Sequence, residues 1–426
     1  MRVLLIDDAS SNANWGDRAS AVSLKQMILK SGATGIATIS EHELCHSSFH
    51  NESLMSQSGP SGKTAKDTLK MFIPPVMLEM REKLIALRTR RPDDIIPQRW
   101  RDFEPHFQQM LKDRRIYSDL LNTIEFSDVI VIHGCELRNN GRDYRAYLFL
   151  SYVAKKFFKK PVILVNLTVD FKHPDLREIA EHLLPLFDDV VCRDVVSAER
   201  CKEFCNARFA PDTAFIFKPI PLHEWLPVSR RLTYFDVWPD TAQFDPSEPY
   251  ICIGGSSIYL YNPQHNPTNG FSELIRHIKS IYPGQILLTV SGGPDAAWFQ
   301  PIAADFKLPL ISLRTPVQQA VDILGNAEAY VGGRWHAGIF ALTGGTPIVA
   351  LSAETFKMQA LSKMAGLSGN TFDALNLRSE KDAIGTELLK CLEEGDQLRL
   401  RLRGWAEKES EKCWNNIDYL RAFSDK

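Results

Sequence analysis

The chain has 426 residues, 44% hydrophobic, 24% charged and 10% aromatic, which is ample for two to three globular domains. Lys plus Arg number 50 and Asp plus Glu 52, a formal charge of -2, and this excludes a global basic footprint for nucleic acid or anionic lipid. No run approaches the roughly 18 apolar residues of a membrane helix, and the opening MRVLLIDDASS reads as a strand rather than a secretory leader.

In chain order, apolar runs at 3–6, 129–133, 162–165, 190–192, 250–254, 286–290, 329–332 and 347–351 predict strands. Amphipathic stretches at 18–30, 144–156, 197–204, 271–281, 317–324 and 336–342 predict helices between them. This alternation is the pattern of parallel sheets covered by helices. The rhythm lapses at 45–125, where polar residues 51–67 predict a surface loop and 77–90 and 106–122 predict helices, an insertion on the first half. It lapses again at 221–249, where Pro221, Pro227, Pro239, Pro246 and Pro249 read as a linker. The expected division is one α/β domain over 1–220, that linker, a second α/β domain over 250–372, and charge-rich helices over 373–426 lying across both halves.

Gly62-Lys63-Thr64 ends like a phosphate-binding loop, but the position needing the first glycine is Gln57 and no strand precedes it. The eight cysteines form no C-x-x-C pair, and no Cys/His pair answers Cys201 and Cys205; no metal site is expected, and a reducing cytoplasm is. At the end of the first strand, Asp7-Asp8 lead into Asn14-Trp15-Gly16-Asp17. Asp17 suits a helix N-cap, with Gly32 near the helix end. The same loop lies at the carboxyl end of a parallel strand, where α/β proteins bind ligands. Strand 190–192 delivers Arg193, which either pairs with Asp194 or Glu199 or holds an anion in its planar fork. The most informative run is 330–351. A buried strand reaches Gly332-Gly333, a helix starts near 334–336, and the small Ala337, Gly338 and Ala341 let it sit close to its sheet. Gly344 and Gly345 end it. Arg334 and His336 crowd its N-terminus, whose free N–H groups and dipole favour an anion. Lys357, after the next strand, aims at the same cleft.

Asn14-x-Gly16-Asp17, Cys192-Arg193-Asp194 with Ser197, Pro211-Asp212-Thr213-Ala214-Phe215, and Gly333-Arg334-Trp335-His336-Ala337 with Gly345-x-Pro347 and Lys357, taken in this order, resemble the polysaccharide pyruvyl transferase family. The Arg-x-His block is the most specific of these. The resemblance implies an α/β fold of two Rossmann-like domains facing a cleft, as in GT-B glycosyltransferases, with C-terminal helices. It implies transfer of the enolpyruvyl part of phosphoenolpyruvate to two hydroxyls of one sugar, with a pyruvate ketal formed and phosphate released. Phosphoenolpyruvate is then the donor substrate and no cofactor is needed. The expected partner is a sugar or lipid-linked oligosaccharide acceptor of surface polysaccharide synthesis, without nucleic acid; peripheral docking on membrane-bound glycan assembly and a homo-oligomer are compatible with it. Two departures stand out: Gly134-Cys135-Glu136 where the family carries a glycine run, and the insertion.

The chemistry asks for cations at the donor's carboxylate and phosphate, and Arg193 and Arg334 are the candidates. The enol carbon needs a proton donor, and imidazole titrates near neutrality, so His336 is the candidate acid. Asp17 or Glu136 is the candidate base, and Asn14, Trp335 and Lys357 join as substrate-binding candidates. Two other readings stay open. One is a GT-B glycosyltransferase using a nucleotide-activated acidic sugar; the other is a non-catalytic glycan-binding homologue.

Overall fold

The computed structural model describes residues 1–50, 94–134, 136–231, 234–235, 237–239 and 244–424. The expected loop at 51–67, the expected helix at 77–90 and Cys135 lie outside the described residues.

Strands β1 (Arg2–Asp8), β2 (Gly35–Ser40), β3 (Val129–His133), β4 (Glu136–Leu137), β5 (Val162–Val169), β6 (Asp189–Cys192) and β7 (Ala207–Phe209) build the first sheet. Their order is β2-β1-β3-β5-β6-β7, with β4 added on β5, and every pair is parallel. Every residue of β3 and β5 is buried, as expected of a parallel sheet covered on both faces. Helices α1 (Trp15–Lys30), α2 (Glu41–His46), α3 (Phe103–Lys112), α4 (Ser118–Phe126), α5 (Arg142–Lys156), α6 (Pro174–Leu183) and α7 (Val195–Cys201) accompany it. The helix expected over 106–122 is two helices, because α3 ends at Asp113 and the chain turns before α4. β2 escaped the pattern reading because it is a half-exposed edge strand without a long apolar run.

The Pro-rich segment expected to be a linker carries α8 (Leu222–Ser229) and β8 (Val237–Trp238). β8 is the antiparallel edge of a second sheet, a place where flanking prolines do little harm. With β9 (Tyr250–Ser256), β10 (Gln285–Thr289), β11 (Leu310–Ile311), β12 (Tyr330–Gly333) and β13 (Ile348–Ala350) the order is β13-β12-β9-β10-β11-β8. Helices α9 (Thr268–Ile281), α10 (Gly293–Phe306), α11 (Val317–Asn326), α12 (Trp335–Thr343) and α13 (Lys357–Met364) complete this half.

In each sheet the strand order reverses once, between β1 and β3 and between β9 and β12. Crevices at such reversals, outside the carboxyl ends of the strands, are where open α/β sheets take ligands. Two final helices, α14 (Leu377–Lys412) and α15 (Asp418–Ser424), tie the halves together. α14 bends at Gly395, which takes φ +53. Its Arg399 and Arg403 donate to the carbonyls of Ala327 and Gly344 in the second half. Further on, Asn416 donates to Pro211 O and Ser424 to Ser31 O in the first. The fold is thus mixed α/β, with two sheets facing a cleft in the GT-B manner. Among the described residues no helix is long and apolar enough to cross a membrane.

Candidate functional site

The carboxyl ends of β1, β9 and β12 and the first turns of α1, α5 and α12 enclose a cavity of about 260 Å³. All of the residues singled out from the sequence line it: Asn14, Asp17, Glu136, Arg193, Arg334, Trp335, His336 and Lys357. They come from both halves, so the site exists only where the halves meet.

α1 begins one turn earlier than the sequence suggested. Asn14 is its N-cap, accepting from Gly16 N at 2.8 Å, and the expected cap, Asp17, sits instead in the first turn. That frees the Asp17 carboxylate for the cleft. Gly16 lets the two helix starts touch: a Cβ there would lie 2.0 Å from Nδ1 of His336. In the structure Nδ1 of His336 is 3.8 Å from Oδ1 of Asp17. Its Nε2 is 3.3 Å from Oδ2 of Asp212, close enough for ionic attraction but out of line for a hydrogen bond.

Asp212 is the residue on which several candidates converge. Besides His336, it accepts from Trp335 Nε1 at 3.1 Å and from Arg193 Nη1 at 3.3 Å. It is fully buried. Burial alone would raise its carboxyl, but His336 and Arg193 outweigh that and hold it far below the usual carboxylate range. Arg193 is also fixed by Thr168 Oγ1 at 2.8 Å, lies 3.6 Å from Glu136, and covers the Trp335 ring at 5.2 Å. Pairing with Asp194 or Glu199, expected as the plain alternative, is not what is found. Asp194 instead caps α7 through Ser197 N at 2.7 Å.

Arg334 is the N-cap of α12, and its side chain turns away to make a two-pronged contact with buried Asp295. Gly292 leaves room for it, since a Cβ there would lie 2.5 Å from Nη2. Lys357 holds both Glu136, at 2.7 Å, and Glu354. Two carboxylates share this one ammonium and part company. Burial and Glu354 push Glu136 up, whereas Lys357 outweighs burial at Glu354 and holds it at about 2. Both Glu136 and Lys357 are committed to this pair, which bridges β4 and α13.

The other end of the cavity is acidic. Asp7, Glu41 and Asp143 line it together with Asp17 and Tyr144. Burial raises the carboxyls of Asp7, Glu41 and Asp143. The cleft thus carries both signs: Arg193, Arg334 and Lys357, each paired with a buried carboxylate, and His336 share it with Asp7, Glu41, Asp143 and Asp17. Sequence reasoning missed Asp212, Asp295, Glu354, Asp7 and Glu41 as site residues. Asp212 stood inside a quoted motif without a role. Asp7 stood at the end of the first strand and Glu354 three residues before Lys357, each without a role, and Asp295 and Glu41 meet partners far away in the chain. Among the described residues no group of His, Cys, Asp and Glu is arranged to hold a metal ion.

The family model described as polysaccharide pyruvyl transferase matches residues 81–354, well over half of the chain. No curated protein matches the sequence. Among solved structures, the chain resembles Arabidopsis thaliana UGT89C1 complexed with UDP-L-rhamnose. The two are 14% identical, aligned over 99% of this chain and 98% of that one with a TM-score of 0.53. It also resembles UDP-GlcNAc 2-epimerase from Neisseria meningitidis bound to UDP-GlcNAc, at 12% identity, 96% and 98% coverage, and a TM-score of 0.52. At these identities the likeness is one of fold.

Proposed function

The chain belongs to the polysaccharide pyruvyl transferase family and is a transferase, and from that premise we propose that it moves the enolpyruvyl group of phosphoenolpyruvate onto two hydroxyls of one sugar of a surface polysaccharide or its precursor. The products are a cyclic pyruvate ketal and phosphate. The observation that carries the reading is the convergence of Arg193, Arg334, Lys357 and His336, from both halves of the chain, on one small cavity. About 260 Å³ is below the roughly 300–1,000 Å³ of ordinary ligand pockets, which suits a compact donor.

The residues divide the work as follows. Arg334, steadied by Asp295 through Nε and Nη2, keeps donor capacity for a carboxylate or phosphate, since a guanidinium carries five N–H groups. The free N–H groups that open α12 add to it. His336 delivers a proton to the methylene carbon of the donor while a sugar oxygen adds at its neighbour. Asp17, beside His336 and partly open to the cleft, takes the proton of that hydroxyl. Glu136 is the weaker choice of base because its carboxyl is bound to Lys357. Phosphate then leaves, and the second hydroxyl closes the ketal as its proton passes to His336, which gave one up in the first step. The reading places the reaction in the cytoplasm, with a free or lipid-linked oligosaccharide as acceptor.

The solved structures favour a second reading, a nucleotide-activated sugar as donor, because relatives in fold hold UDP-L-rhamnose and UDP-GlcNAc. Ligand-dependent melting separates the two. A ligand that binds only the folded state stabilises it by about 2.7 kcal/mol at a hundredfold excess over Kd. Phosphoenolpyruvate should raise the melting temperature, Arg334→Ala should shrink the shift, and Arg334→Lys should restore little of it, since an ammonium cannot make the fork. A shift with UDP and none with phosphoenolpyruvate would replace the first reading by the second.

A further inference from the structure

Asp7 is the penultimate residue of β1 and the most deeply placed carboxyl at the acidic end of the cleft. Burial pushes it well up, and the charges acting most strongly on it are Glu41, Asp143, Asp17 and Asp8, all carboxylates. Its neighbours have partners: Asp8 binds Lys25 at 2.7 Å, Glu41 accepts from Asn12, and Asp143 accepts from backbone N–H groups at the start of α5. Asp7 does not. The residue is 4% exposed, lines the cavity, and its Oδ1 has no hydrogen-bond partner among the described residues. Buried polar oxygens are rarely left in that state.

The backbone is bent to put it there. The pairing of β1 with β2 shifts register between Ile6 and Asp8, and Asp7 takes φ +67, uncommon for a residue with a Cβ. Such irregularities re-aim a side chain next to active sites. The surroundings also select the occupant. An anionic donor is repelled by Glu41, Asp143 and Asp17, whereas a hydroxyl both donates and accepts and suits a carboxyl of either protonation state.

From this geometry we infer that Asp7, flanked by Glu41 and Asp143, forms the acceptor end of the cleft, where the Asp7 carboxyl binds a hydroxyl of the sugar that receives the transferred group. The inference rests on the reading of the protein as a sugar-directed transferase. It makes Asp7 an acceptor-binding residue rather than part of the donor site.

The test uses the full chain and two substitutions. Asp7→Gly removes the carboxyl and accepts φ +67 without strain. Asp7→Asn keeps two polar atoms in the same place. Binding of the methyl glycosides of glucose, galactose, mannose and N-acetylglucosamine is measured by saturation-transfer NMR. The melting response to phosphoenolpyruvate is recorded on the same samples. Asp7→Gly should weaken the bound glycoside about tenfold or more, Asp7→Asn much less, and neither should change the phosphoenolpyruvate response. Unchanged glycoside affinity in Asp7→Gly, with the donor response intact, overturns this inference alone. Equal loss of the donor response overturns the assignment of Asp7 to the acceptor end. Glycoside binding absent from the unsubstituted protein would remove the sugar-directed reading as well.

Discussion

His336 owes its position to a residue that has no side chain. The N-terminus of α1 can approach the imidazole only because Gly16 stands there, and Asp17 follows at a distance suited to work with the ring. Replacing His336 by Ala should lower kcat by about 100- to 10,000-fold while the melting temperature stays close to that of the parent. Near-parental turnover by the folded variant would remove His336 from the chemistry. Asp7 yields a prediction of a different kind. Its carboxyl is raised by burial and by Glu41, Asp143, Asp17 and Asp8. Between the ordinary Asp value of about 3.9 and the raised one, the folded state holds a proton that the unfolded chain has released. In that window the native state binds more protons, so stability falls as pH rises. Asn has no such proton to hold. Asp7→Asn should therefore be more stable than the parent, by a margin that widens as pH climbs through the window and is small below about pH 4. Denaturant unfolding at a series of pH values measures this; a constant margin would mean that Asp7 is not strained by its charge. The candidates His336, Arg334 and Asp17 were legible in the sequence because glycine-preceded helix starts have a local signature. Asp7 was visible only as a carboxyl at the end of the first strand, because its burial and the charges of α1, α2 and α5 that act on it are set by the fold.

Helices α1 and α12 meet N-terminus to N-terminus, which places both sets of free N–H groups on one cleft. The contact is continued by Trp15 Nε1 donating to Leu313 O and by Arg18 donating to Thr315 O. Gly16→Ala tests whether this approach is required. A Cβ 2.0 Å from Nδ1 forces the ring to move or the helices to part. Activity should fall by a large fraction of the His336→Ala loss, although alanine favours the helix itself by about 1 kcal/mol over glycine. Full activity in Gly16→Ala would show that the ring position is not critical. Most helices and strands could be anticipated from their periodicity. The boundaries shifted where a side chain outside the pattern captured the cap, as Asn14 did at α1, and β2, β4, β7, β8 and β11 were missed because strands of two or three residues, or a half-exposed edge strand, carry too few apolar residues to register.

For the chain as a whole, the last two helices decide how the halves are held. Leu388, Leu398 and Leu402 of α14 are buried, as are Ile417 and Leu420 beyond it. Anchors on Ala327, Gly344, Pro211 and Ser31 reach into both halves. Deleting residues 377–426 should therefore expose a continuous apolar surface, lower the melting temperature by many degrees and abolish the phosphoenolpyruvate response. Fully burying one leucine contributes about 1.5–3 kcal/mol, and the deletion exposes the partners of several. A truncated chain that stays monomeric, melts as before and still responds to phosphoenolpyruvate would show that the cleft is assembled without these helices.

The alternation of buried strands and amphipathic helices and the glycine-framed Arg-x-His block were both written in short stretches of chain. Each depends on residues within a few positions of one another, so periodicity and capping rules reach it. The Asp212 contacts with Trp335 and His336, the Lys357 bridge to Glu136 and the carboxylates around Asp7 depend on residues from different elements, in some cases from different halves. A hydrogen bond between distant positions leaves no repeat in the sequence around either partner. Its existence is set by how two sheets pack around one cleft, and there the cations of the site found the carboxylates that hold them.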